Sequence, residues 1–416
     1  MTWAPAPAPA RSRRIRAQAG QEHGAGGAPA PASARSLGWG ARAGQEHGAA
    51  AARAVRADYG VLLGSVATLC LAGLLMVLSA SSVASLRSFG SPWWYFEHQG
   101  MYLLAGVFAF FVAQRVGMAT WQRAARPAVL VACLALMAVL VHGRSAGGAS
   151  RWLGFGPLEF QPSEFAKLAL VLFAADVSAR REGKGDWAYR AGPVLVVVAL
   201  FALLILEQPD MGTAVMLCAI GLAVLFAAGL PLRWLGALGA FAGASGLVLA
   251  VSAPYRLARL TSFLNPSAHA TTTGYQSVQG LIALATGHLA GTGLGQSLAS
   301  WGYLPNQYTD FIFAVIGQET GLVGCVVVLA LFGAIGFAGT RVAWRARSTF
   351  ESLVAAGVTA WVVLQAIVNA GAVAGVLPVT GVPLPFVSYG GTSLIILMFA
   401  VGLLANVARA QRAGER

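Results

Sequence analysis

Negative charge is what this 416-residue chain has least of: 15 Asp and Glu stand against 28 Lys and Arg, and charged residues of all kinds make up only 10%. A soluble domain carries roughly 25% charged residues, so the shortage excludes an ordinary water-soluble fold. Cysteine is scarce too. Cys70, Cys133, Cys218 and Cys325 lie far apart inside apolar runs with no CxxC pair, which excludes a disulfide framework or a zinc site and leaves small packing residues. Apolar residues are abundant, at 57%, with a mean hydropathy of +0.68. Runs long enough to cross a ~30 Å hydrocarbon core recur from about residue 59 onward. The chain reads as a polytopic, all-α integral membrane protein.

The net charge of +13 raises nucleic acid as a partner, and the placement of the basic residues removes it. Eight arginines stand in residues 1–58 among Ala, Gly and Pro, and most of the others sit in short clusters between apolar runs. With the N-terminus in the cytoplasm, 22 of the 28 basic residues fall on the cytoplasmic side. That bias is the positive-inside pattern of a membrane protein.

Residues 1–57 repeat "AGQEHGA" at 19–25 and 43–49 and contain few large apolar residues. They read as a disordered basic cytoplasmic tail, whose repeated histidines fit sequence duplication better than metal binding. Ten spans follow, at 59–80, 99–114, 127–142, 163–179, 192–207, 211–229, 234–252, 310–338, 352–372 and 392–408. An even number puts both termini inside, with a transmembrane domain over 58–410 and a short tail at 411–416. The outward loops are then 81–98, 143–162, 208–210, 253–309 and 373–391. The fourth is far longer than a plain connection. Within it "YQSVQGLIALATG" (275–287) predicts an interfacial or re-entrant helix with Val278, Leu281, Ile282 and Ala285 along one stripe.

Ionisable groups at membrane depth are costly and so point to function. Glu164 and Lys167 in "QPSEFAK" are helix neighbours at i and i+3; they read either as a self-neutralising pair or as a phosphate-binding lysine oriented by its acid. Asp210 in "EQPDMG" reads as a helix cap. Arg151 and Trp152, in a Gly-rich outward loop, suit an anionic head group and a sugar, or an ordinary interface belt. "GTGLG" (291–295) resembles a dinucleotide loop but follows no strand and is rejected. Asp310 in "YTDFIFAVIGQE" precedes an apolar run and heads a small-residue stripe of Ala314, Gly317 and Gly321. It reads as a helix N-cap or as a base whose pKa partial burial raises toward neutrality. Glu319, nine residues on, lies on the opposite helix face and cannot pair with it.

Four stretches together, "GASRWLGFGPLEFQPSEFAKLAL", "QPDMGTA", "GTGLGQSLASWGYLPNQYTDFIFAVIGQETGLVG" and "VLPVTGVPLPFVSYGGTSL", resemble the SEDS family of membrane glycosyltransferases, FtsW and RodA, over about residues 59–408. "PVTGVPLPF" and "LLANVARAQ" look most like the FtsW type of high-GC Gram-positive bacteria. The resemblance implies a peptidoglycan glycosyltransferase at the cell membrane, its active site facing outward, which polymerises lipid II during division or elongation. It implies Asp310 as the catalytic aspartate. Arg151, Trp152, Glu164, Lys167, Ser388, Tyr389, Gly390 and Gly391 are the implied substrate-binding residues. A class B penicillin-binding protein (a transpeptidase) and other division or elongation proteins are the implied partners; a divalent cation, Mg or Mn, is the one cofactor considered. A lipid II flippase and a non-enzymatic scaffold for a transpeptidase are the competing classes. The chain departs from the family pattern at Asn306 and Tyr308, where "LPEAHTDF" is usual, at Gln318 in place of a Glu, and at "GHLAG" (287–291).

Overall fold

The computed structural model describes residues 34–413 apart from 147–148, 156–157 and 253; side chains are described from residue 53, except at 144–150, 155–158, 250, 253–256 and 412–413. Residues 1–49 make one unit and residues 50–416 a second. The helix α1 (Ala34–Phe89) starts well before the expected tail boundary at 57, and residues 1–33 of that tail lie outside the described residues. The Ala-rich stretch 49–57 has strong intrinsic helix preference, which accounts for the helix passing residue 57 but not for its start at Ala34.

Ten long helices coincide with the ten expected spans: α1, α2 (Trp94–Arg115), α3 (Met118–His142), α4 (Pro162–Arg180), α5 (Trp187–Leu206), α6 (Met211–Ala227), α7 (Leu232–Val251), α10 (Ile312–Trp344), α11 (Thr349–Val373) and α12 (Gly391–Ala413). Eight of these are long and apolar enough to cross a membrane by themselves. The other two are α6, apolar but only 17 residues, and α4, which carries Glu164, Lys167, Asp176 and Arg180. The helix α4 is central, packed on α3, α5, α6, α11 and α12 and buried along nearly its whole length. Protein rather than lipid surrounds its charges, so each finds a partner. Asp176 takes Arg180 at 2.5 Å and Arg126 at 3.5 Å, with Gln122 donating at 3.0 Å. At the same basic end Asp58 of α1 pairs with Arg341 of α10 and with Arg345, which caps the end of that helix, at 3.2 and 2.6 Å. Asn406 of α12 donates to the carbonyls of Ala113 and Val116, satisfying acceptors that the end of α2 leaves free.

The loop between α3 and α4 is an antiparallel sheet of β1 (Arg144–Ala146), β2 (Ala149–Phe155) and β3 (Leu158–Phe160), in the order β1-β2-β3. Its glycines hid these short strands from periodicity. The long fourth loop contains α8 (Pro254–Leu264) and the expected helix, α9 (Tyr275–Thr286). The buried face of α9 differs from the predicted stripe: Gly280 and Ala283 are buried, while Ile282 is 48% exposed. Small residues face the protein here because they let α9 approach α10 closely, with Gly280 against the Phe311 ring and Leu284 against Gly317.

The helix α10, read from the sequence as continuous, is broken at Gly321, whose φ of 71° and ψ of −167° are open essentially to glycine alone. Segment 288–293 enters the break. Thr292 and Gly293 donate to the carbonyls of Gln318 and Glu319 at 2.9 and 3.0 Å, and Leu322 and Val323 donate to those of His288 and Leu289 at 3.0 and 3.3 Å. Backbone groups freed by the break are thus paired within the protein.

Candidate active site

Asp310 lies in a turn from Asn306 to Phe311, two residues before α10 begins. Asn306 adopts a left-handed φ of 55°, which asparagine tolerates. Its carbonyl accepts from the backbone of Thr309 and Phe311 (3.1 and 3.2 Å) and from the Thr309 hydroxyl (3.1 Å). The cap position of α10 belongs to Phe311 and has no side-chain cap. The N-cap reading of Asp310 therefore falls, and its carboxylate is available for other work.

That carboxylate is half-buried. Thr309 has one hydroxyl hydrogen for two acceptors, Oδ1 of Asp310 at 3.0 Å and the Asn306 carbonyl. Burial pushes the Asp310 pKa above its ordinary value. Its own backbone and the Thr309 hydroxyl oppose the rise, as do the guanidiniums of Arg151 and Arg259. Arg151, on β2, is anchored by Asp210 at 3.4 Å and by the Pro209 carbonyl at 3.3 Å. Asp210 caps α6 as expected, accepting from the Thr213 backbone and hydroxyl at 3.1 and 2.8 Å. It holds Arg151 as well, a second role that the cap reading missed. Gly381, with a φ of 69°, sits between the two charges: a Cβ there would lie 3.8 Å from both Nη1 of Arg151 and Oδ2 of Asp310.

The segment between α11 and α12 closes the other side. Asn369 of α11 donates to the backbone carbonyls of Asp310 (2.7 Å) and Val382 (2.8 Å), tying the acid's turn to this segment. The backbone of Tyr389 donates to the Tyr308 carbonyl at 2.8 Å. One carboxylate of raised pKa, two guanidiniums and a set of fixed backbone turns thus meet at the end of the bundle opposite the Asp58 and Asp176 ion pairs.

The model for FtsW, RodA and SpoVE, described as "Cell cycle protein", matches residues 61–413. The chain belongs to the FtsW/RodA/SpoVE family. It is 37% identical over 355 residues to a probable peptidoglycan glycosyltransferase FtsW of Geobacter metallireducens, covering 85% of this chain and 94% of that protein. A protein of the same description from Mycobacterium bovis is 39% identical over 356 residues, covering 85% of this chain and 68% of that protein. Among solved structures, a chain described under "Structural coordination of polymerization and crosslinking by a peptidoglycan synthase complex" superposes with a TM-score of 0.69 at 30% identity, covering 84% of this chain and 97% of that one.

The residues singled out by the FtsW/RodA/SpoVE motifs fall into two groups. Arg151 and Tyr389 join Asp310 at the bundle end. Trp152 is half-buried on β2 next to Arg151, at a register irregularity of the β1–β2 pair. Gly391 opens α12 against the Tyr102 ring, and Gly390 immediately precedes it. Ser388 is buried; its hydroxyl accepts from the Leu384 backbone at 2.8 Å and its carbonyl from Gln99 at 3.2 Å, so its visible work is to shape the turn. Burial also pushes the Tyr389 phenol up, with Tyr102, Tyr95, Glu159 and Tyr308 adding to it.

Glu164 and Lys167 do pair, at 2.8 Å, but with side chains only 2% and 1% exposed. Lys167 also donates to Gln365 at 3.1 Å and lies over the Trp361 ring; Gln365 in turn donates to the Pro383 carbonyl at 2.9 Å. The pair thus reaches the site through α11 and the loop it holds. Arg259, Asn369 and Gln365 were missed by sequence reasoning. A signal for the last two was present: two amides at i and i+4 in an otherwise apolar span mark an inward polar face.

Proposed function

We propose that this chain is a peptidoglycan glycosyltransferase that polymerises lipid II into glycan strands, with Asp310 as general base and undecaprenyl pyrophosphate as leaving group. Asp310 takes the proton of the acceptor sugar's 4-hydroxyl as that oxygen attacks the donor's anomeric carbon. The bond to pyrophosphate breaks, and the configuration inverts in a single displacement. One base suffices, because pyrophosphate needs charge stabilisation more than protonation. The observation that carries the reading is the half-buried Asp310 carboxylate with raised pKa beside Arg151 and within the field of Arg259. The guanidiniums are the proposed seat of the pyrophosphate. Lys167 is spent on Glu164 and Gln365 and acts at a distance, through the Pro383 segment.

A divalent cation, Mg or Mn, would find Asp310 there, with Asp210 already held by Arg151; among the described residues no three His, Cys, Asp or Glu are grouped to hold a metal. That donor set suits a cation arriving with the substrate's phosphates, not one held by the protein. The basic clusters at the opposite end support an outward-facing Asp310. Likeness to the solved synthase complex supports a transpeptidase, a class B penicillin-binding protein, as partner, and the FtsW-described relatives favour a role in division.

The test is polymerisation of labelled lipid II by purified protein, with and without the transpeptidase. Wild type should build glycan. Asp310→Asn should bind lipid II and lose about 10²–10⁴-fold in rate. Normal polymerisation by Asp310→Asn sinks the assignment. Movement of lipid II across vesicles without glycan would make the chain a flippase, and neither activity would leave a scaffold.

A further inference from the structure

The turn that carries Asp310 is tied down from four directions. Gln307 donates to the carbonyls of Ala80 in α1 and of Ser300, at 2.9 and 3.0 Å. Asn369 holds the Asp310 carbonyl from α11, and Tyr389 holds the Tyr308 carbonyl from the 374–390 segment. The fourth tie differs in kind. The Tyr308 and Tyr95 hydroxyls lie 3.0 Å apart, joining the turn to the first turn of α2 through side chains alone. The three other ties each end on a backbone carbonyl and so belong to the fold; this one can be cut by removing a single oxygen atom.

The rings around this link are arranged to hold it. Tyr95 and Tyr308 have centroids 4.5 Å apart and tilted by 37°, and Tyr389 meets both edge-on, at 4.9 and 6.0 Å. Their faces and edges are used on one another, which makes the trio a poor free platform for stacking a sugar.

We propose that the Tyr95–Tyr308 hydroxyl pair is a positioning device for glycosyl transfer, setting the orientation of the Asn306–Phe311 turn so that Asp310 meets the acceptor hydroxyl in one geometry. Neither tyrosine touches the reacting atoms. The inference rests on Asp310 being the base. A base displaced by a fraction of an ångström loses rate while substrate binding is untouched, so the effect falls on kcat and not on KM. Because the two hydroxyls form one link, losing either is the same as losing both.

The experiment is a double-mutant cycle in the lipid II polymerisation assay, using full-length Tyr95→Phe, Tyr308→Phe and the double variant, with Asp310→Asn in parallel and Tm measured for each. Each single variant should lower kcat about tenfold, the scale of rate lost when a base is held out of its reactive geometry. KM and Tm should stay near wild type, and the double variant should be no slower than the singles. Unchanged kcat in either single variant overturns the proposal. So do multiplying losses in the double variant, a rise in KM alone, or a fall in Tm that accounts for the lost activity. An active Asp310→Asn overturns the proposed function together with this device, whereas an inactive Asp310→Asn with uncoupled tyrosines overturns the device alone.

Discussion

A carboxylate that has to accept a proton near neutral pH must be lifted above its ordinary pKa, yet stay ionised often enough to act. Asp310 shows both halves of that balance: burial raises it, and hydrogen bonds and two guanidiniums hold the rise in check. Only the deprotonated form is a base, so kcat/KM should climb as pH rises through the lifted pKa. Arg259 is exposed and makes no close pair with Asp310, so its removal should change the electrostatics with little change in packing. Arg259→Gln takes away a cation that favours the charged carboxylate. The ascending limb of the pH–rate profile should therefore move to higher pH, lowering the rate most on its acid side. A limb that stays in place, or moves to lower pH, would show that Arg259 does not act on the base. The other departures from the family pattern have local accounts as well. The left-handed turn suits Asn306, and the Gln318 amide is used at both ends: its oxygen accepts from the Ser297 hydroxyl and the Ala299 backbone, and its nitrogen donates to Thr286.

Among the elements, α10 and the segment inserted into it show where sequence reading stopped. The apolar run from Ile312 onward made the helix legible, because length and hydropathy suffice for a span. Nothing in its periodicity revealed the break, since that depends on residues 288–293 supplying hydrogen bonds from elsewhere in the chain. The face of α9 misled for a related reason. Periodicity assigns large apolar residues to the core, but in a membrane they can face lipid while Gly and Ala face protein. The ten long helices, and the place of Asp310 just before one of them, were legible because each rests on local composition; Asn369, Arg259 and the Tyr95–Tyr308 link were not, because each depends on segments brought together only by folding. The break yields a sharp contrast within one helix. A Cβ at Gly321 would stand 2.4 Å from the Leu289 carbonyl oxygen, at a φ/ψ that alanine does not adopt without strain, whereas one at Gly333 would meet open space. Gly321→Ala should cost at least about 1–3 kcal/mol and lower Tm. Gly333→Ala should leave Tm unchanged or raise it, since alanine favours a helix interior by about 1 kcal/mol over glycine. Thermal unfolding of both variants in the same detergent checks this, and equal behaviour would mean that α10 is continuous.

At the scale of the whole molecule, charge separates the two ends of the bundle. The end with the Asp58 and Asp176 ion pairs gathers most of the basic clusters, while the end with Asp310 carries few cations, two of which act on its carboxylate. A chain inserted by the positive-inside bias places the first end in the cytoplasm. Lipid-linked sugars for wall synthesis would then meet Asp310 on the outer side, where the polymer is needed. The four native cysteines lie inside α1, α3, α6 and α10 and provide little background for thiol labelling in intact cells. Tyr303, 60% exposed in the connection that leads to Asp310, and Lys184, exposed between α4 and α5, are suitable reporters for the two ends. Tyr303→Cys should react with a membrane-impermeant maleimide added to whole cells or spheroplasts. Lys184→Cys should react only after the membrane is opened. The reverse pattern would put Asp310 in the cytoplasm, away from any growing wall, and polymerisation at that carboxylate could not be the chain's work.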